Sequence, residues 1–83
     1  MNSIRFQRPV IVTYHATQRM AERCVSEEIL LEVIETGDTR YADETHLWVF
    51  KAFPVRDDNL LCVVLVLEDA LVVKTVMHHF ELL

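Results

Sequence analysis

"LLCVVLVLE", Leu60 to Glu68, decides the fold. Its unbroken apolar run is far shorter than the roughly 20 residues that a membrane helix needs. Turn-forming residues bound it, "PVRDDN" before and "EDA" after, and a short apolar run between turns predicts a buried central strand. Working outward, "HLWVFKAF" (His46 to Phe53) and "ALVVKTVMHHF" (Ala70 to Phe80) keep a strand-like pattern, and "TRYAD" is a shorter candidate just after Gly37. Strands in succession joined by tight turns predict an antiparallel sheet.

Before Gly37 the period is helical. Ser26 caps "SEEILLEVIETG", with Glu27 and Glu28 in the first turn, where the helix dipole favours anions, and Gly37 in the C-terminal cap position. Ile29, Leu30, Val33 and Ile34 form its apolar stripe, and Glu28, Glu32 and Glu35 its solvated one. An earlier helix starts after the N-cap Thr13 and runs to about Arg23 or Cys24, with Ala16, Met20 and Cys24 facing inward. "PVIVTY" (Pro9 to Tyr14) is a short edge strand or an extended lead-in. The expected fold class is α+β, with two N-terminal helices on one face of a mainly antiparallel sheet of about four strands. The expected order is α-α-β-β-β-β, with room for an extra short strand at the start.

At 83 residues the chain is expected to form a single domain over 1–83, small enough that most of its 52% apolar residues must pack. With no signal-peptide pattern, a cytoplasmic location away from the membrane is expected. Cys24 and Cys62 lack close-spaced partners and are expected to be reduced and buried. A net charge of −5 disfavours non-specific binding to nucleic acid. Even so, Arg5, Arg8, Arg19 and Arg23 concentrate positive charge near the N-terminus, a pattern suited to gripping one anionic group.

"YHATQRMAER" (Tyr14 to Arg23) spaces His15, Arg19 and Arg23 four residues apart, on one face beside the packed stripe. In the plain reading these are surface groups, with Arg19 paired to Glu22. In the functional reading, two guanidiniums beside an imidazole receive a phosphate: histidine exchanges protons near neutral pH and arginine supplies a planar fork of donors. Thr75 or Lys74 completes the cradle, depending on which sheet face meets the helix. Strand alternation places Lys74 and His78 on one face with Val72 and Val76, and Thr75 and His79 on the other with Leu71 and Val73, so His78 and His79 are expected to point apart and not to share a metal. No metal and no cofactor are expected.

"TYHATQRMAERCVSEEILLEVIETG" resembles the signature of the domain of unknown function 4258 family, with its Ser/Thr-x-His-Ala lead and Arg-Met-x-x-Arg segment. "LVVKTV" is similar to the family's closing strand, so the resemblance runs from about Thr13 to Val76. It implies a fold similar to the RelE, barnase and colicin-type ribonucleases, and a metal-independent ribonuclease acting as a toxin of a toxin-antitoxin pair or a related effector. It points to His15, Arg19, Arg23 and Thr75. Apart from the resemblance, Lys74, His78 and His79 are additional candidates for proton transfer, the two histidines lying beyond the part of the chain that matches the pattern. The implied partners are RNA as substrate and an antitoxin or immunity protein, with a homodimer also open. The competing reading is a non-catalytic protein-interaction module that binds through its acidic surface and a sheet edge.

Overall fold

The computed structural model describes residues 1–82. In chain order the elements are β1 (Asn2–Ser3), β2 (Arg8–Val12), α1 (Tyr14–Glu22), α2 (Glu27–Thr36), β3 (Asp38–Tyr41), β4 (His46–Lys51), β5 (Leu61–Leu67) and β6 (Leu71–Met77). The six strands form one sheet in the order β1-β2-β6-β5-β4-β3. This α+β domain corrects the expected α-α-β-β-β-β order of about four strands, because β1 and β2 precede both helices and the sheet is mixed. The overturning feature is the parallel pairing of β2 with β6, Val10 against Leu71 through Val12 against Val73. Pairing between segments so distant in sequence leaves no trace in local periodicity.

The helices begin where their caps dictate. Thr13 has extended backbone and its hydroxyl oxygen accepts from the Ala16 N–H at 3.1 Å, while Ser26 does the same for Ile29 at 3.2 Å. Gly37 ends α2 with an ordinary φ of −74°, so its backbone conformation does not require glycine. Space does: a Cβ there would lie 2.6 Å from the Val33 carbonyl oxygen and 2.8 Å from that of Phe50. At the other edge, Arg5 donates to the Ile34 and Gly37 carbonyls and Glu35 accepts from the Ile4 and Arg5 N–H groups, tying β1 to the end of α2.

Both helices lie on one face of the sheet. Ala16, Met20, Leu30, Val33 and Ile34 pack against Leu47, Val49, Leu61, Val63, Leu65, Leu71, Val73 and Val76. Each fully buried Val, Leu or Ile contributes about 1.5–3 kcal/mol before entropy is counted. No helix among the described residues is long and apolar enough to cross a membrane.

One irregularity in β6 matters for the site. Val73 pairs with Leu65 and Thr75 with Val64, so Lys74 is the extra residue of a bulge. The bulge turns every later side chain over. Val76 is therefore buried in the core together with Val73, and Thr75 shares the opposite, helix-free face with Val64. The expected grouping of Thr75 with Val73, and of Lys74 with Val76, is corrected: strict alternation does not survive an inserted residue.

Candidate functional site

β2 leaves β6 at Val12, which exposes the hydrogen-bonding edge of the second half of β6. The start of α1 takes over that edge. Thr13 donates its N–H to the Val73 carbonyl at 3.2 Å and its hydroxyl to the Lys74 carbonyl at 3.3 Å. At the second residue of the helix, His15 then meets the strand: its Nε2 lies 3.2 Å from Thr75 Oγ1 in a hydrogen bond. The ring itself is exposed. His15 and Thr75 therefore come together although 60 residues separate them.

The arginines are more committed than the stripe suggests. Arg19 forms an ion pair with Glu22, so an acid three residues on offsets its charge. Arg23 donates from Nη1 to the Val76 carbonyl, where it closes the strand edge. A guanidinium has five donors, so this single bond leaves others available. Lys74 is exposed, and the structure gives it no place in the cradle beyond the carbonyl that holds Thr13. The expected N-terminal basic cluster is not assembled, because Arg5 binds the end of α2 and Arg8 bonds the Phe6 and Glu68 carbonyls.

Arg23 also borders an open cleft of about 490 Å³ shared with Cys24, Arg56, Asp58, His78 and His79. Here the expectation that the two histidines point apart is corrected. β6 ends at Met77 and His79 takes a left-handed φ of 51°, so their ring centroids approach to 4.7 Å. His78 is partly buried, with Nδ1 3.1 Å from Asp58 Oδ2, while His79 is exposed. Cys24, also expected to be buried, lies exposed just past α1, with a φ of 54°. Among the described residues no three His, Cys, Asp or Glu side chains are arranged to hold a metal.

Arg56 and Asp58 carry the geometry of this cleft and have no distinctive sequence signal. Arg56 meets both Asp58 carboxylate oxygens at 2.8 Å and donates to the Arg23 carbonyl at 2.7 Å and the Cys24 carbonyl at 3.0 Å. The Arg56 hydrogen bond, with a further contribution from His78, holds the Asp58 carboxyl well below the usual carboxylate range, against the opposing effect of desolvation. The same ion pair raises Arg56 above its already high value. The only sequence hint was a turn, "PVRDDN", with opposite charges close together.

A family profile described as "Domain of unknown function (DUF4258)" matches residues 12–78. The chain belongs to this family. The matched span of the DUF4258 domain holds His15, Arg19, Arg23, Arg56, Asp58 and Thr75 and stops just short of His79. No curated protein and no solved structure matches the chain.

Proposed function

We propose that this DUF4258 domain is a metal-independent endoribonuclease of the RelE, barnase and colicin kind, acting as a toxin or related effector held in check by a partner protein. The observation that carries the reading is the exposed imidazole of His15 hydrogen-bonded to Thr75 at the strand edge that Arg23 closes. His15 takes the proton from a ribose 2′-hydroxyl as the 2′-oxygen attacks phosphorus. Thr75 orients the ring, and its hydroxyl rotates onto a phosphoryl oxygen when RNA is bound. The spare donors of Arg23 stabilise the negative charge that develops on those oxygens. Arg19 adds a weaker field because Glu22 already opposes it.

The P–O5′ bond breaks as the leaving oxygen accepts a proton from His79, the exposed imidazole of the cleft that Arg23 borders. The products are a 2′,3′-cyclic phosphate and a 5′-hydroxyl end, and neither water nor a metal is consumed. His78, held by Asp58, supports the His79 ring, and Lys74 contributes only charge at the bulge. The test is incubation of the purified chain, in chelator, with end-labelled RNA. Wild type is expected to yield cyclic-phosphate ends and His15→Ala none; equal RNA survival with both proteins overturns the proposal.

One observation favours a second reading, a non-catalytic interaction module. β3 lies at the sheet edge with all four of its residues exposed, and its outer backbone groups are open to a strand from another chain. A domain that binds a partner with unchanged affinity after His15→Ala and Thr75→Val, and leaves RNA intact, fits that reading instead.

A further inference from the structure

The bulge at Lys74 brings one row of side chains into line across the helix-free face. Thr75 pairs with Val64, Val64 with Trp48, and Trp48 with Arg40. Cross-strand partners point to the same face, so the row runs from the His15–Thr75 hydrogen bond on β6 to Arg40 on the edge strand β3. Three strand spacings of about 4.8 Å make it roughly 14 Å long. In an unbulged register Thr75 would join the core face and Lys74 would take its place opposite Val64.

The chemistry of the row changes along its length. It begins with a hydrogen-bonding dyad, continues over the half-buried Val64 and Trp48, and ends in an exposed guanidinium. None of the four ion pairs among the described residues uses Arg40 or Lys74. The flanking rows differ. On one side, Phe50 and Cys62 are buried and Phe80 packs on Phe50 with centroids 6.0 Å apart; on the other, His46, Val66, Val72 and Ile11 run to the opposite edge, with Ile11 54% exposed. Asp38, beside Phe50 on the same face, is the nearest opposing charge in the pairing scheme.

We infer that this row is the binding track for single-stranded RNA: one base stacks on Trp48, Arg40 contacts a backbone phosphate, and the chain is thereby led to His15 and Thr75. An apolar face with one aromatic ring and flanking cations is how proteins hold single strands without reading sequence, because every base offers a π-face to stack. A double helix is excluded by the same feature, since its bases are already stacked on one another. The inference rests on the nuclease reading for its direction but places new residues, Trp48 and Arg40, in substrate binding.

Trp48 is the chain's one tryptophan, so its emission reports the track directly. The probe is a mixed-sequence 2′-O-methyl oligonucleotide, which lacks the attacking hydroxyl. Titration is expected to quench Trp48 saturably, and a duplex of the same sequence to quench far less. Arg40→Gln is expected to weaken binding about three- to tenfold and to reduce the salt slope by about one. By anisotropy of a labelled probe, Trp48→Leu is expected to weaken binding about tenfold and Trp48→Phe less. Should Trp48→Leu misfold, quenching of the wild type and the Arg40→Gln titration still decide. Quenching without RNA cleavage supports the track and overturns the nuclease proposal. Cleavage that needs His15 but shows no quenching, with KM unchanged in Arg40→Gln, overturns the track alone. Neither quenching nor cleavage overturns both and leaves this face to a protein partner.

Discussion

Arg56 donates from Nη2 to the carbonyl of Arg23 at 2.7 Å, while the guanidinium of Arg23 donates in turn to the carbonyl of Val76. One arginine thus holds the backbone of another, and the second ties α1 to β6. The pair holds Arg23 from both ends, so the loop before β5 helps to position its guanidinium.

Breaking this relay should cost stability. Asp58→Asn leaves Arg56 without its bidentate carboxylate, and losing hydrogen bonds to a charged partner is expected to cost about 2 kcal/mol. For a domain of this size that corresponds to a melting temperature lower by on the order of 10 °C, checked by thermal circular dichroism.

Acid should unfold the protein partly through the same group. Asp58 is held low in the fold, so its contribution is present above the ordinary aspartate value of about 3.9 and is lost as pH falls through the folded value, because the unfolded chain takes the proton first. Asp43, lowered chiefly by its His46 hydrogen bond, acts in the same direction. Urea titrations at pH 3 and pH 7 are expected to differ more for wild type than for Asp58→Asn.

At the dyad, His15→Ala and Thr75→Val should separate chemistry from folding. Loss of a proton-transfer group is expected to lower cleavage by about 10²–10⁴-fold. Because His15 is exposed, its replacement is expected to change stability by no more than about 0.5 kcal/mol. Thr75→Ser keeps the hydroxyl and is expected to retain activity. His79→Ala, which removes the proposed donor to the leaving oxygen, is expected to lower cleavage by a factor similar to that of His15→Ala.

Gly37→Ala tests the close approach of α2 to β4. A methyl group 2.6 Å from the Val33 carbonyl oxygen and 2.8 Å from that of Phe50 forces backbone apart, at about 1–3 kcal/mol. Denaturant unfolding checks it; a neutral result would mean the α2–β4 junction yields without cost.

The two thiols should differ in reactivity. Cys24 is exposed, whereas burial pushes the Cys62 thiol up to about 12. Alkylation of the native protein at pH 8 is expected to label one site, with the second appearing only in denaturant, as read by intact mass.

Elements whose signals are local were legible in the sequence. Thr13 and Ser26 announce their helices, and the apolar stripe of α2 and the core strand β5 follow from periodicity alone. What could not be read depends on distant partners. β2 is an ordinary β-branched segment until β6 lies beside it. Thr75 changes face because of one inserted residue that no pattern in "LVVKTV" marks. The His15, Arg19, Arg23 stripe was visible, yet the carbonyl that occupies Arg23 belongs to β6 and the one that fixes its backbone angle is reached by Arg56. Sequence spacing shows which groups share a helix face; it does not show which donors are already spent.

The parallel β2–β6 pair has a consequence for how the protein is made. During synthesis the first 24 residues emerge early and wait, because the strand that receives β2, His15 and Arg23 is the last of the sheet to leave the ribosome. Joining segments this far apart costs loop entropy that is recovered only at the end. A partly synthesised chain therefore lacks the His15–Thr75 hydrogen bond altogether, and the two residues meet only when the final strand docks.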